Sequence, residues 1–329
     1  MVTLPRLRLM NSRHRVVVTR PYPADLLESL APHAELIVPG REDQSLDYED
    51  VCRHAGSLTA IINQGEIQVD ARLMAMAPRL KIVANASIGV NNLALDAMRA
   101  RSIWGINTPD AFVDATADCT IGLLVTLARR LGEGERFVRA GRWRQFAPGA
   151  WDGMLLRGRT LGLVGYGRIG HAVAHRATAF GLRVIHHTRT RSAAPGWRTL
   201  DDLLASADFV SLHVPLNDDS RNLIDAAKLA LMKPGAFLLN LARGAVVEES
   251  ALIHALRSGQ LAGAALDVFV DEPNVPAALC EMENVVLTPH VGGGSREGRR
   301  IAQELCVENV RRVLTGESPL RECVVVAAA

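Results

Sequence analysis

The sequence predicts an α/β protein built from two doubly wound, parallel-sheet domains with a cleft between them. Short apolar runs rich in β-branched residues alternate with longer stretches of helical periodicity, which is typical of parallel strands joined by crossover helices. The strands are nearly continuous apolar runs rather than alternating ones, which indicates burial on both faces of a sheet. The series ends at a long helical stretch and then begins again, and 329 residues usually hold more than one core.

The first series of predicted strands covers 15–18, 35–38, 59–62, 80–84 and 103–106. A long helix is predicted over 110–131, followed by an irregular stretch over 132–156. The second series comprises a helix over 169–180 and strands over 160–165, 183–187, 209–212, 236–239 and 264–266. The last helix, 296–314, is expected to return to the first domain. Residues 1–109 with 296–329 are therefore predicted to form one domain, and 110–295 the other.

Composition excludes several classes of protein. The net charge of +2 and the scattered arginines do not form the basic stripe of a nucleic-acid-binding protein. Five cysteines without C-x-x-C spacing argue against a disulfide framework or a zinc site, and favour a reducing compartment. The N-terminus carries Arg6, Arg8 and Arg13 without the apolar core of a signal peptide, and the apolar tail over 324–329 is too short to cross a membrane. We therefore expect a cytoplasmic protein without a metal.

The sharpest local motif is G-x-G-x-x-G, formed by Gly165, Gly167 and Gly170 between a predicted strand and a predicted helix. The first glycine permits a tight turn, the second lets the backbone approach a pyrophosphate, and the third allows close packing of helix against strand. Arg168 and Ile169 open the helix, whose N-terminal N–H groups attract phosphates. This context predicts a dinucleotide site, and an ordinary structural turn is the alternative.

The end of the next strand bears on the choice of cofactor. NAD-binding domains place an acidic residue about 20 positions after the glycine loop, where it binds the ribose 2′-hydroxyl. Here the segment is Thr188, Arg189, Thr190 and Arg191, and the first acidic residue is Asp201. A guanidinium can make paired, charge-assisted bonds to a 2′-phosphate, so the sequence favours NADPH over NADH. The alternative is an exposed basic loop.

Three later segments, each after an apolar strand, carry Arg243, Glu272 and His290. In open α/β sheets, side chains at such positions line the ligand-binding edge. A cation can hold a carboxylate and polarise a carbonyl, an imidazole can protonate an alkoxide, and a nearby carboxylate stabilises the protonated imidazole. These are the groups that reduction of a 2-oxo acid requires. Taken singly, each could be a packed histidine, a capping cation or a surface carboxylate.

Together these segments resemble the D-isomer-specific 2-hydroxyacid dehydrogenase family, and the resemblance extends from about residue 80 to about residue 316. Further matching segments are Asn107-Thr108-Pro109, Ala117-Asp118, His213-Val214-Pro215-Leu216 and Met232-Lys233-Pro234-Gly235. The resemblance implies two Rossmann-like or flavodoxin-like domains. The basic segment that follows the glycine loop is most similar to that of the NADP-type glyoxylate/hydroxypyruvate and 2-ketogluconate reductases.

The resemblance also implies roles for individual residues. Arg243 would bind substrate, His290 would be the general acid in reduction and the base in oxidation, and Glu272 would pair with it. Backbone N–H groups of the loop Ser87, Ile88 and Gly89 would hold the substrate carboxylate. The positions implied to lie around the cofactor are Thr116, His213, Pro215, Ala242 and Asp267. Ser87 and Asn91 replace the glycine and aspartate that are commonest there, which leaves the shape of the substrate pocket open.

We therefore expect a reductase that transfers a hydride from NADPH, or less well from NADH, to glyoxylate, hydroxypyruvate or 2-ketogluconate. A homodimer is expected, in which the stretch Trp143–Trp151 reaches the partner's active site. Asn63 and Gln64 either face the substrate or are structural. One alternative function is a nucleotide-sensing regulatory protein without catalysis, as in corepressor relatives of the family. Another is a family member that oxidises formate or phosphite.

Overall fold

A computed structural model of the chain describes residues 14–41 and 43–328. The arginines at positions 6, 8 and 13, on which the signal-peptide argument rests, lie outside the described residues. The chain divides into two compact units. The first contains the residues up to Phe112 together with those from Ser295 onwards, and the second is Val113–Gly294.

Twelve strands and twelve α-helices make up the described chain. The strands are β1 (Arg15–Val18), β2 (Glu35–Ile37), β3 (Ala60–Asn63), β4 (Ile82–Asn85), β5 (Trp104–Ile106), β6 (Thr160–Val164), β7 (Arg183–His187), β8 (Phe209–Leu212), β9 (Ala236–Asn240), β10 (Leu261–Leu266), β11 (Val285–Leu287) and β12 (Val324–Val326). The helices are α1 (Ala24–Leu30), α2 (Tyr48–His54), α3 (Ala71–Met76), α4 (Leu95–Ala100), α5 (Val113–Ala128), α6 (Leu131–Arg139), α7 (Arg168–Ala179), α8 (Leu200–Ser206), α9 (Ala226–Leu231), α10 (Glu249–Arg257), α11 (Ala277–Cys280) and α12 (Arg296–Leu314).

The first unit contains a six-stranded sheet in the order β12-β5-β4-β3-β1-β2. Its strands β1 to β5 are parallel. Successive side chains of a strand point to opposite faces, so Val16 and Ile62 join the core beneath α1 and α12, whereas Val17 and Ile61 join the core beneath α2, α3 and α4. The order reverses between β1 and β3, and such a switch point is where open α/β sheets bind ligands.

The second unit contains a six-stranded parallel sheet in the order β11-β10-β9-β8-β6-β7. One face is covered by α5 and α7, and the other by α8, α9 and α10. All residues of β6, β8 and β9 are buried, in agreement with their nearly continuous apolar sequences. Here the switch point lies between β6 and β8. The two units confirm the predicted fold class of two doubly wound, parallel-sheet α/β domains.

The predicted helix over 110–131 is confirmed as α5, Val113–Ala128, but a second helix, α6, follows it where an irregular stretch was predicted. Between them Arg130 adopts the left-handed conformation, with φ of 53°. Its guanidinium forms an ion pair with Glu133 at 2.6 Å and lies over the ring of Trp151, 5.2 Å from the ring centroid. These contacts stabilise a break that helical periodicity alone does not reveal. The stretch predicted to be irregular therefore begins with a helix that ends at Arg139.

The C-terminal tail adds a strand that the sequence analysis did not predict. Strand β12 pairs antiparallel with β5, with Val324 opposite Ile106. It extends an otherwise parallel sheet at its edge, a combination that is common in large α/β sheets. The other predicted strands agree with the structure to within a few residues at their ends.

The described part of the chain contains neither a membrane-spanning helix nor a candidate metal cluster. No helix in residues 14–41 and 43–328 is long and apolar enough to cross a membrane. The same residues contain no group of three or more His, Cys, Asp or Glu side chains arranged to hold a metal ion.

Candidate active site

The imidazole of His290 and the carboxylate of Glu272 form a hydrogen-bonded pair in the second unit. Nδ1 of His290 lies 2.7 Å from Oε2 of Glu272, and the other carboxylate oxygen accepts the backbone N–H of Phe269 at 2.9 Å. Because an ionised carboxylate only accepts hydrogen bonds, Nδ1 is the donor, and Nε2 is left as the ring nitrogen that can face a substrate. The imidazole side chain is 49% exposed, so the pair is accessible to a ligand.

A buried carboxylate holds the loop that carries His290. Asp267 is 1% exposed, and its oxygens accept hydrogen bonds from the Thr288 hydroxyl at 2.6 Å, the Val291 N–H at 2.8 Å and the Gly292 N–H at 2.7 Å. His290 itself has a φ of 52°, a left-handed conformation that costs a non-glycine residue energy. Hydrogen bonds on both sides of a strained residue fix its backbone, so Asp267 positions the imidazole.

Arg243 follows β9, and a side-chain amide shapes its loop. The Asn240 amide donates to the carbonyl of Arg243 at 2.9 Å, while its oxygen accepts the N–H of Ala242 at 3.0 Å. The next residue, Gly244, packs so closely on the backbone of Phe269 that a Cβ there would overlap it. This close approach brings the Arg243 loop next to the loop that leads to Glu272.

The charges of these residues influence one another. Burial by itself raises the pKa of Glu272, but the hydrogen bonds from His290 and Phe269 and the nearby charges of His290 and Arg243 outweigh it, and the pKa is lowered. Burial lowers the pKa of Arg243, and the charge of Glu272 opposes this effect. A guanidinium remains protonated in proteins, so at neutral pH the site combines a cation and a carboxylate next to an imidazole. The second unit therefore brings Arg243, Glu272 and His290 together.

The glycine loop follows β6 at the switch point and fits a dinucleotide. Gly165 has a φ of +99°, and a Cβ there would lie 2.5 Å from the carbonyl oxygen of His213, while a Cβ at Gly170 would overlap the carbonyl of Gly165. Gly167 caps α7 at its N-terminus and faces open space. Arg168 and Ile169 form the first turn of α7. The loop thus presents bare backbone at a helix N-terminus, which suits a pyrophosphate.

The remaining residues expected around the cofactor lie in the same unit. His213 and Pro215 follow β8, beside the glycine loop. Burial lowers the pKa of His213 to about 4, so its imidazole is neutral, and its Nε2 lies 2.9 Å from the Ser211 hydroxyl. Thr116 lies in α5 and Ala242 follows β9, and both are at least nine-tenths buried. Asp267 was expected to lie near the nicotinamide. Its carboxylate instead accepts hydrogen bonds from the loop that carries His290.

The basic segment after β7 lies at the surface and makes specific contacts. The Thr188 hydroxyl donates to the carbonyl of Thr190 at 2.7 Å, which closes a turn. Arg189 forms an ion pair with Asp219 at 2.9 Å, and Arg191 lies over the ring of Trp197, 5.4 Å from the centroid. Neither Asp219 nor Trp197 was predicted from the sequence to lie here, because no motif links them to this segment.

The loop expected to hold the substrate carboxylate lies in the first unit, after β4. Its carbonyl groups are occupied, since Ser87 O accepts from Thr108 N–H, Ile88 O from the Asn107 amide and Gly89 O from the Asn85 amide. Among the described residues, no backbone carbonyl accepts a hydrogen bond from the N–H group of Ile88 or Gly89. This arrangement leaves two adjacent donors for an anion.

Asn63 and Gln64 take different roles in the neighbouring loop of the first unit. The Asn63 side chain is fully buried and bonds the Gly65 N–H and the Ile67 carbonyl, so it shapes the loop. Gln64 reaches Arg299 at 3.4 Å. Gly65, with a φ of +102°, lies against the Ser87 side chain, which connects this loop to the substrate loop.

The chain is similar in sequence to D-isomer-specific 2-hydroxyacid dehydrogenases. A family model described as D-isomer specific 2-hydroxyacid dehydrogenase, NAD binding domain, matches residues 121–292. The chain is 38% identical to glyoxylate reductase of Thermococcus onnurineus over 316 residues, which cover 93% of this chain and 94% of the relative. It is 39% identical to glyoxylate reductase of Aeropyrum pernix over 319 residues, covering 93% and 95%.

Solved structures are similar over nearly the whole chain. A Thermus thermophilus protein is 42% identical with a TM-score of 0.89, covering 95% of this chain and 100% of that chain. The NADPH-dependent glyoxylate/hydroxypyruvate reductase of Sinorhizobium meliloti, solved with NADP and malonate, is 35% identical with a TM-score of 0.84. That similarity covers 94% of this chain and 98% of the reductase.

Proposed function

Because the chain belongs to the D-isomer-specific 2-hydroxyacid dehydrogenase family, we propose that it is an NADPH-dependent reductase of small 2-oxo acids, with His290 as the general acid. The observation that carries this proposal is the hydrogen bond between His290 and Glu272, beside the Arg243 loop. We propose glyoxylate and hydroxypyruvate as substrates, since the relatives with those activities are similar over nearly the whole chain. 2-Ketogluconate remains a further candidate from the sequence.

Each side chain has a role in this mechanism. The guanidinium of Arg243 binds the substrate carboxylate and polarises the 2-oxo group. When bound, the reduced nicotinamide supplies the hydride that reduces the carbonyl carbon. His290 donates a proton from Nε2 to the carbonyl oxygen, and the ionised Glu272 stabilises the protonated imidazole before this transfer. Asp267 keeps the imidazole in place.

Substitution of the pair tests the mechanism. In His290→Ala, turnover is expected to fall by about 10²–10⁴-fold, the usual contribution of a general acid. Glu272→Gln keeps the shape of the side chain but removes its charge, so it is expected to lower turnover while NADPH binding persists. Turnover is measured by loss of NADPH absorbance with glyoxylate, hydroxypyruvate and 2-ketogluconate, and binding by nucleotide fluorescence. Undiminished turnover in His290→Ala would contradict the assigned role.

The cofactor preference is a separate proposal. Arg189 and Arg191 supply two cations close to the end of β7, where NAD-binding domains place a carboxylate, and the Sinorhizobium reductase is described as NADPH-dependent. We expect a lower Michaelis constant for NADPH than for NADH. The Michaelis constants for the two nucleotides, measured with one 2-oxo acid at a saturating concentration, test this preference. A protein that binds NADPH but oxidises it with none of the three substrates would instead favour a nucleotide-sensing role.

We also propose a homodimer formed through the segment that follows α6. Large apolar side chains are exposed there, among them Trp143, Phe146 and Leu155, with Phe146 81% exposed. Exposed aromatic side chains of this kind are enriched at protein interfaces. Light scattering after size exclusion tests the proposal, because Phe146→Ser should shift the mass towards a monomer. A wild-type mass equal to that of a single chain would refute the proposed homodimer.

The location of the protein is proposed from its thiols. All five cysteines are free, including the buried Cys52, Cys306 and Cys323. Free thiols persist in a reducing compartment, so we propose a cytoplasmic protein. Fractionation with a tagged chain tests this location.

A further inference from the structure

The ion pair between Arg189 and Asp219 joins two loops at the nucleotide-binding edge of the second sheet. Arg189 follows β7, whereas Asp219 belongs to the loop after β8, and these strands flank β6 on either side. The Arg189 guanidinium lies 2.9 Å from the Asp219 carboxylate. The pair therefore places a carboxylate against the segment for which the sequence suggested only basic and hydroxyl groups.

The loop that carries Asp219 is well ordered by its own hydrogen bonds. The neighbouring Ser220 is buried, and its hydroxyl donates to the Pro215 carbonyl at 2.6 Å. Its backbone N–H donates to the Asn217 side chain at 3.1 Å, while the Asn217 N–H donates to the Ser220 hydroxyl at 2.8 Å. These contacts fix the backbone next to Asp219, so the carboxylate is presented by a defined turn.

The two arginines of the basic segment differ in what they contact. Arg189 is neutralised by Asp219, but Arg191 lies on the indole ring of Trp197, a neutral partner. Within residues 14–41 and 43–328, Arg191 forms no salt bridge. The side chains of Arg189 and Asp219 are 81% and 69% exposed, and such exposed ion pairs are weak, so a ligand can separate them.

We propose that Asp219 is a specificity-determining residue that lets the nucleotide site accept NADH as well as NADPH. Its carboxylate replaces the missing acidic residue after β7 and accepts a hydrogen bond from the ribose 2′-hydroxyl of NADH. With NADPH, the 2′-phosphate replaces Asp219 as the partner of Arg189, and the Asp219 carboxylate repels it. Arg191, whose partner is the neutral Trp197 ring, also binds the phosphate. This inference rests on the proposed function only in that both nucleotides bind at the glycine loop.

Three variants test the proposal. Asp219→Asn removes the charge, Asp219→Glu retains it, and Asp218→Asn is a matched control at the adjacent exposed aspartate. Dissociation constants for NADPH and NADH are measured by nucleotide fluorescence, which requires no substrate. We expect Asp219→Asn to raise the dissociation constant for NADH by about tenfold, because one charge-assisted hydrogen bond is lost. The dissociation constant for NADPH should fall by about threefold, because one repulsion is removed. Asp219→Glu should stay near the wild type, and Asp218→Asn within about twofold for both nucleotides.

Two outcomes overturn the proposal. One is a ratio of the two dissociation constants that is the same in Asp219→Asn as in Asp218→Asn. The other is an equal weakening of both nucleotides, which would indicate a structural role for the ion pair. The proposed NADPH preference can fail independently. In that case the wild type binds NADH more tightly than NADPH, whatever effect Asp219→Asn has on the two dissociation constants. Failure of the proposed chemistry leaves the dissociation constants unaffected.

Discussion

Replacement of Asp267 by asparagine tests whether one buried carboxylate holds the loop that carries His290. The carboxylate accepts three hydrogen bonds, from Thr288, Val291 and Gly292. An asparagine keeps one oxygen, but its NH₂ group must face a backbone N–H or the hydroxyl. The backbone donors cannot turn away, so at least one of them loses its partner in a site that is 1% exposed.

The size of the effect follows from these contacts. A hydrogen bond to a charged group contributes about 1.5–3 kcal/mol, and a buried donor without a partner costs about 1–3 kcal/mol. One lost bond and two weakened ones should lower the free energy of unfolding by about 2–4 kcal/mol. Because the strained His290 backbone depends on the same bonds, turnover should fall by about 10²-fold or more, while NADPH binding changes little.

The assay combines urea unfolding, steady-state turnover and NADPH fluorescence. Asp271→Asn is the matched control, since that exposed aspartate bonds only the nearby Asn274 among the described residues. Thr288→Val removes one of the three bonds and should have a smaller effect than Asp267→Asn. If Asp267 instead contacts the nicotinamide, as the sequence suggested, NADPH binding weakens and the free energy of unfolding does not fall. Equal unfolding and turnover in Asp267→Asn and Asp271→Asn would refute a loop-holding role for Asp267.

Two further predictions concern the glycine loop and the pH dependence of stability. Gly170→Ala should weaken NADPH binding by about tenfold or more, because its Cβ overlaps the Gly165 carbonyl. The control Gly122→Ala in α5 should leave NADPH binding unchanged and raise the free energy of unfolding by up to about 1 kcal/mol. Equal NADPH binding by both variants would contradict this prediction. His213 has a pKa of about 4 in the folded chain against an ordinary 6.5, so protonation favours the unfolded state. Its contribution to stability is present above about pH 6.5 and is lost as the pH falls towards 4, which amounts to about 2 kcal/mol between about pH 7 and about pH 5. The same urea titrations with His213→Gln should show a shallower loss, and an equal slope in both proteins would refute the assignment.

The features that the sequence predicted well are those determined by nearby residues. The fully buried strands β6 and β8 are nearly continuous apolar runs. The G-x-G-x-x-G spacing of the glycines after β6 is typical of a dinucleotide-binding turn. Arg243, Glu272 and His290 could be selected because each follows an apolar strand, and parallel strands bring their carboxyl ends to one edge of the sheet.

The features that the sequence did not predict depend on distant residues. The break at Arg130 is held by Trp151, 21 positions away, and nothing in the helical periodicity marks it. Asp219 meets Arg189 only because β7 and β8 lie on either side of β6. The carboxylate of Asp267 serves the loop that carries His290 because β10 and β11 are neighbours in the sheet. Such contacts follow from strand order, which local patterns do not encode.

The order of elements along the chain has a consequence for synthesis. The first unit is completed by its last residues, since α12 covers β3 and β4 and β12 forms the edge of the sheet. The second unit, Val113–Gly294, is continuous in sequence. On a ribosome, where the N-terminal part emerges first, the inserted unit can therefore fold before the unit that precedes it. Until the C-terminal segment emerges, only α1 can cover the face of the first sheet that carries Val16 and Ile62, because α12 has not yet been synthesised.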